Sequence, residues 1–401
     1  MEILDIRRLR VLGLAWSRIK ILLYLIKNGK FKNAYAYLCA SLFVRDAGLA
    51  IMDWLYRINP GLAPYPEAIE VEVTTRCHLR CVICEHTYWT EPPRDMSFDE
   101  FKMIVDQFPR LKWIGLSGIG SAFLNKDFLR MLRYLKTKNI FVEFFDTFDL
   151  IDRNISEELV KIGIDKIWMS IDAAKKETYE KIRVGGNFDK VINNLTDLIK
   201  IKKQFKTPMP EIWFHYIMNE YNVAEMPEFI EIIHSIINKN KTNYATLIFF
   251  TSLLYFDKIE HLRPIVPEEI KNHVLEKAKK YNLYVNWNEN MLANKPVSDC
   301  TKWTEPFVLA TGHVQPCCAI NEANDRAYQK QYSFGNLLSE NFRDIWQSDR
   351  FKQFRKNIHK GVFPETCKNC RLYERKLPEY AARNGEGTKS SLNIDKKCKI
   401  V

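Results

Sequence analysis

A chain of 401 residues is long enough for two or three domains with cores of their own. Its 46% hydrophobic and 27% charged residues exclude a disordered or fibrous protein, and ten cysteines without a secretory signal pattern point to reduced thiols and metal on the cytosolic side, not to disulfides. More than half of the net charge of +11 falls in residues 1–65, where ten Lys and Arg stand against four acids, so an anionic surface is an expected partner.

Residues 1–65 read as a basic amphipathic helical arm. Leu9, Leu12, Trp16, Ile19, Leu23 and Ile26 recur at steps of three and four, which places them on one helical stripe. Arg18, Lys20, Arg45, Asp46 and Asp53 break every apolar run before it could span a bilayer. Two readings of the stripe stay open. It lies in a membrane interface, with the protein peripheral on that membrane, or it packs on the chain's own next domain. Nucleic acid is not expected, because large aliphatics more than aromatic platforms separate the basic residues. Asn59-Pro60-Gly61 and Pro64-Tyr65-Pro66 mark a boundary.

From 66 to 290 strand and helix alternate. Strands are predicted near 68–73, 112–116, 140–145, 166–171, 211–218 and 245–250. Helices are predicted over about 127–136, 156–162, 188–203, 227–237 and 267–280, after a first one opened by the capping box Ser97-Phe98-Asp99-Glu100. Six alternating units imply a parallel α/β sheet, with ligands beyond the carboxyl ends of its strands. Two side chains there are candidates for catalysis. Asp146 ends the third strand, as a base, a substrate ligand or a solvated loop acid; His215 lies on the fifth, facing the interior or satisfied in the core.

The first strand runs into Cys77-His78-Leu79-Arg80-Cys81-Val82-Ile83-Cys84. Thiolates take soft or borderline metals, and zinc would normally use paired C-x2-C knuckles with four ligands. Three thiols in C-x3-C-x2-C spacing instead suit an iron–sulfur cube with one iron left open. Near the other end, Cys300, Cys317, Cys367 and Cys370 form C-x11-G-x4-C followed later by C-x2-C, enough thiolates from two separate segments to close a second shell around a cluster or a zinc ion. Cys318 competes with Cys317, and Cys398 is a further candidate ligand.

The Cys77–Cys84 loop, with Thr74-Thr75-Arg76 before it and Ile83 before the last thiol, resembles the signature of the radical S-adenosylmethionine (radical SAM) superfamily. The resemblance implies a partial (βα)6 TIM-like barrel over 66–290. It also implies a 4Fe–4S cluster on Cys77, Cys81 and Cys84, S-adenosylmethionine on the open iron, and a low-potential electron donor such as ferredoxin or flavodoxin. Reductive cleavage would give a 5′-deoxyadenosyl radical that abstracts a substrate hydrogen. Gly118, Gly120 and Ser121 stand where relatives meet the amino group of S-adenosylmethionine, with Ser121 and Ala122 in place of Glu-Pro. Ser170, Asp172 and Arg183 stand where relatives meet its ribose or carboxylate. Asn222 and Glu225 match a position read as structural. The second cysteine set resembles the SPASM domain in its shortened, single-cluster form called twitch, which implies a small Cys-rich α+β domain over 291–401 with one auxiliary 4Fe–4S cluster.

The substrate is not written in a motif. The basic arm favours a membrane-associated lipid or isoprenoid chain, with hydrogen abstraction from an unactivated carbon and carbon–carbon bond formation as one outcome. The alternatives are a maturase of a ribosomal peptide, a dehydrogenase of a sugar or cofactor precursor, and a metal-bearing scaffold without activity. No winged-helix peptide-binding module is recognisable ahead of the barrel, which counts against the peptide reading.

Overall fold

The frame is a nine-stranded sheet seen in a computed structural model, which describes residues 2–40, 55, 58–59, 63–239, 246–253, 257–287, 302–318, 326–360 and 362. Seven strands run parallel and side by side in chain order: β1 (Ala68–Val71), β2 (Trp113–Leu116), β3 (Phe141–Asp146), β4 (Lys166–Ser170), β5 (Glu211–Ile217), β6 (Leu247–Thr251) and β7 (Tyr284–Trp287). Beyond the open edge of β1 lie β8 (Phe307–Val308), parallel to it, and β9 (Val314–Gln315), antiparallel to β8. The helices between the strands include Phe98–Asp106, whose Ser97–Glu100 capping box is formed in both directions, then Phe128–Thr137, Arg153–Ile162, Phe188–Gln204, Met226–Lys239 and Glu268–Lys280. This is the expected partial barrel. The sequence pattern passed over β7 and the short β8 and β9, whose two residues each carry no periodicity of their own.

Alternation along each strand sorts the side chains onto two faces. Ile69, Val71, Ile114, Leu116, Phe144, Met169, Phe214 and Phe250 join the helices in one large core. The opposite, inner face carries Glu143, Phe145, Lys166, Trp168, Trp213, His215 and Phe249. Lys166 pairs with Glu143 at 3.2 Å and lies 3.8 Å over the Trp213 ring. Phe145 stacks on Trp168 at 5.4 Å.

Two helices close the N-terminal end of the barrel. α1 (Glu2–Lys27) and α2 (Phe31–Leu38) meet at a turn where Gly29 takes φ +69°, so the arm is a helical pair and not one continuous helix. Ile21, Leu25, Ala34 and Tyr37 pack against Ala68, Trp113, Phe141 and Met209, which lie at or just before the starts of β1, β2, β3 and β5. Tyr37 Oη donates to Glu211 Oε1 at 2.9 Å. The predicted stripe is not the face that packs. Trp16, Ile19, Leu23 and Ile26 point outward, and the barrel is met by a separate pair a quarter-turn or more away. Among the described residues no helix is long and apolar enough to cross a membrane.

Candidate active site

β1 delivers the chain to the carboxyl end of the sheet, where Thr74 Oγ1 donates to Asp95 Oδ1 at 2.5 Å and anchors the cysteine loop. Cys81 is buried, and Cys77 and Cys84 are half-buried, in a pocket walled by Leu79, Ile83, Ile182, Leu253, Ile259 and Leu262. Burial pushes the Cys81 thiol up to about 11 and the Cys84 thiol up to about 12, so neither becomes a thiolate at neutral pH without a bound cation. Among the described residues no three His, Cys, Asp or Glu side chains converge closely enough to hold a single ion. Three thiols spread over one apolar loop fit the corners of a larger cluster and leave one metal corner without a protein ligand.

The glycine-bearing loop after β2 folds onto this loop. A Cβ on Gly120 would sit 2.3 Å from the Thr74 carbonyl oxygen, and one on Gly118 would sit 2.5 Å from Glu72 Cγ. Both glycines therefore allow a protein–protein approach, whatever ligand lies above them. Ser121 N–H donates to the Arg76 carbonyl at 2.7 Å, and its Oγ lies 3.2 Å from Cys77 Sγ and 3.1 Å from His78 Nδ1.

Arg183 reaches the cysteines from a different quarter. Arg183–Val184 pairs antiparallel with Arg80–Cys81, with Cys81 opposite Arg183. Its Nη1 lies 3.7 Å from Cys81 Sγ, and its Nη2 lies 2.5 Å from Asp172 Oδ2. Asp172 Oδ1 accepts from the Ile217 N–H at 2.7 Å, so both of its oxygens are engaged within the protein. Burial works against the Arg183 charge, but the Asp172 carboxylate outweighs it and holds the guanidinium protonated. Asn222 donates to the Asp172 carbonyl at 2.8 Å, and Glu225 accepts from Ala174 N–H, Lys175 N–H and Thr178 Oγ1, which clamps the loop after β4.

Ser170, half-buried at the end of β4, stands in register with His215 on β5. His215 Nε2 lies 2.9 Å from Thr251 Oγ1, and its ring meets Phe145 edge-on at 5.8 Å and lies over Phe249 at 6.1 Å. Asp146 is buried at the end of β3 and its Oδ1 accepts from the Phe148 N–H at 2.6 Å. Burial pushes its carboxyl up to about 7; that N–H opposes the rise, and the nearby Asp149 charge adds to it. Cys77, His78 and Ser121 are thus in mutual contact, as are Cys81, Arg183 and Asp172, while His215 is held by Thr251 between Phe145 and Phe249.

The family model described as the radical SAM superfamily matches residues 71–233, and the one described as the SPASM iron–sulfur cluster-binding domain matches residues 300–371. The chain belongs to the radical SAM superfamily. This radical SAM enzyme is 25% identical over 328 residues to the tungsten-containing aldehyde ferredoxin oxidoreductase cofactor-modifying protein of Pyrococcus furiosus, spanning 75% of this chain and 86% of that protein. It is 21% identical to the mycofactocin maturase MftC of Mycolicibacterium smegmatis over 76% of this chain and 75% of that one. With the PqqA peptide cyclase of Granulibacter bethesdensis the figures are 21%, 76% and 79%. Its fold is similar to that of Streptococcus suis SuiB bound to S-adenosylmethionine, with a TM-score of 0.57 at 13% identity, covering 77% of this chain and 71% of that one. Its cofactors are S-adenosylmethionine, a 4Fe–4S cluster on the three-thiol loop, and auxiliary iron–sulfur in the SPASM segment.

Within that segment, Cys317 and Cys318 are half-buried just past β9, whereas Cys300, Cys367, Cys370 and Cys398 lie outside the described residues. The matched range holds the first three of these and stops short of Cys398. One connection between the two halves had no signal in the sequence. Glu72, at the end of β1, has Oε1 2.7 Å from Arg326 Nη2 and Oε2 accepting from the Ala310 N–H at 3.0 Å. Arg326 also lies 4.8 Å over the Trp89 ring. A lone acid beside a strand end carries no mark of a partner 254 positions away.

Proposed function

We propose that this radical SAM enzyme is a maturase that abstracts hydrogen from a carbon of a peptide substrate held across the carboxyl ends of its inner face. The observation that carries this reading is the company of the whole chain. Relatives aligned over about three-quarters of this chain and of their own length are named as a maturase and as a peptide cyclase. Those names favour the peptide alternative over the lipid or isoprenoid chain that the basic arm suggests. A second reading, modification of a cofactor or its precursor, is favoured by the name of the Pyrococcus furiosus relative.

The residues divide the work as follows. Cys77, Cys81 and Cys84 hold the cluster, which when bound supplies the electron for reductive cleavage of S-adenosylmethionine. Arg183, fixed by Asp172, sets its positive charge against Cys81 and favours the thiolate there. Ser121 orients Cys77, and Gly118, Gly120 and Ser170 line the floor on which S-adenosylmethionine lies. Phe145, His215 and Phe249 form an aromatic shelf that seats the substrate side chain against the reacting carbon. Asp146, with its carboxyl near neutrality, gives or takes a proton at the substrate once hydrogen has been removed. Cys300, Cys317, Cys367 and Cys370 hold the auxiliary cluster.

The test is anaerobic turnover of the reconstituted full-length chain with S-adenosylmethionine, dithionite and short peptides encoded beside its gene, one of them deuterated. Deuterium in 5′-deoxyadenosine together with a mass change in the peptide is the expected result. Deoxyadenosine formation that no such peptide accelerates, with no deuterium transferred, refutes the peptide reading.

A further inference from the structure

We propose that the outward face of α1 is a docking surface for an anionic lipid bilayer. The helix has two apolar faces, and the protein uses one. Ile21 and Leu25 are 0% and 1% exposed against the barrel. Trp16, Ile19, Leu23 and Ile26, at steps of three, four and three, are 57%, 44%, 56% and 44% exposed, and Phe31 just beyond the Gly29 turn is 65% exposed. A continuous apolar stripe of that kind on a folded protein marks an interaction site.

The charge around the stripe selects its occupant. Lys20, Lys27, Lys30 and Lys32 are exposed beside it, and from Ile6 to Arg45 the sequence contains no Asp or Glu. A second copy of this chain meeting the stripe about a two-fold axis would bring two basic, acid-free stretches together, which is repulsive. A bilayer with anionic headgroups supplies a plane of negative charge for the lysines and an apolar boundary for Trp16, Leu23 and Ile26. Lysine stems reach up to the headgroups as the apolar side chains go down. The helix would lie on the membrane and not cross it, in keeping with the absence of any spanning helix among the described residues. Nothing in this inference depends on the substrate.

The test is flotation of the reconstituted full-length enzyme with vesicles of phosphatidylcholine alone and of phosphatidylcholine mixed with phosphatidylglycerol. The enzyme should float with the anionic vesicles only, and less as salt is raised. The double variants Trp16→Ser/Leu23→Ser and Lys27→Glu/Lys30→Glu should each weaken partition at least about tenfold while S-adenosylmethionine cleavage is kept. If the apolar variant fails to fold, the lysine variant, altered only at exposed positions, decides. No flotation, equal flotation with both vesicles, or flotation unchanged by either variant overturns the proposal. So does a wild-type dimer in light scattering that the apolar variant dissociates, because the surface then belongs to a second copy.

Discussion

The Glu72–Arg326 pair makes a sharp prediction about how the two halves hold together. Both side chains are all but fully buried, at 1% and 2% exposure, with 2.7 Å between Oε1 and Nη2. At an effective dielectric constant of about 20 the gross attraction at that distance is about 6 kcal/mol, most of it offset by the cost of desolvating two ions. Arg326→Met keeps a long stem against Trp89 but leaves the Glu72 carboxylate buried with backbone N–H groups alone. Breaking a buried pair from one side costs about 3–5 kcal/mol, which at 2–4 °C per kcal/mol lowers the melting temperature by about 6–20 °C. Glu72→Gln added to Arg326→Met removes the stranded charge and should recover part of that loss, so the double-mutant cycle is strongly non-additive. Anaerobic differential scanning calorimetry on the four proteins gives the answer. A fall of less than about 2 °C for Arg326→Met, or an additive cycle, refutes the claim that this pair fastens the SPASM segment to the barrel.

Cys77→Ala should lower the iron content and cluster absorbance to the share of the auxiliary cluster and abolish 5′-deoxyadenosine formation, whereas Cys300→Ala should leave uncoupled cleavage and lose the modified product in mass spectrometry. Gly120→Ala drives a methyl group into the Thr74 carbonyl at 2.3 Å, so the iron content of the reconstituted protein should fall although no ligand has been changed. Asp146 has a folded-state pKa of about 7, above the ordinary value near 3.9. A raised carboxyl costs no stability below its unfolded pKa and costs progressively more as pH rises through its folded one. Asp146→Asn should therefore gain on the wild type between pH 5 and pH 8, by at most about 4 kcal/mol, and melting curves that stay parallel across that range would count against the buried acid.

Local patterns in the sequence were legible and distant pairings were not. Alternating β-branched runs located six strands, and the capping residues at Ser97 marked a helix start that the structure forms in full. The C-x3-C-x2-C spacing is covalent and readable at once. The approach of Arg183 to Cys81 depends on two-residue strands pairing across 102 positions, which no window of periodicity can report. Gly118 and Gly120 stand where the resemblance puts contacts to S-adenosylmethionine, yet what a Cβ at either would meet in the structure is Glu72 and the Thr74 carbonyl. On α1 the apolar stripe was visible, but Ile21 and Leu25 sit between its members in sequence, and only the fold shows which set meets the barrel.

That last assignment separates two ideas that the basic arm had tied together, where the enzyme sits and what it acts on. The arm covers the starts of the strands, and the cysteine loop lies at their ends. A strand the length of β3, six residues, spans about 20 Å. The inner face between the two ends is filled by Trp113, Phe141, Trp168, Trp213 and the Glu143–Lys166 pair, most of them buried. A lipid in a bilayer beneath α1 would have to pass through packed side chains to reach the cluster. Attachment to a membrane therefore leaves the site open to the aqueous side. Adding phosphatidylglycerol vesicles to the turnover assay should leave the rate of 5′-deoxyadenosine formation within about twofold even when the enzyme is fully bound. A large acceleration on vesicles, with deuterium passing from a labelled acyl chain into deoxyadenosine, would show that the barrel opens toward the membrane and would return the lipid to consideration as substrate.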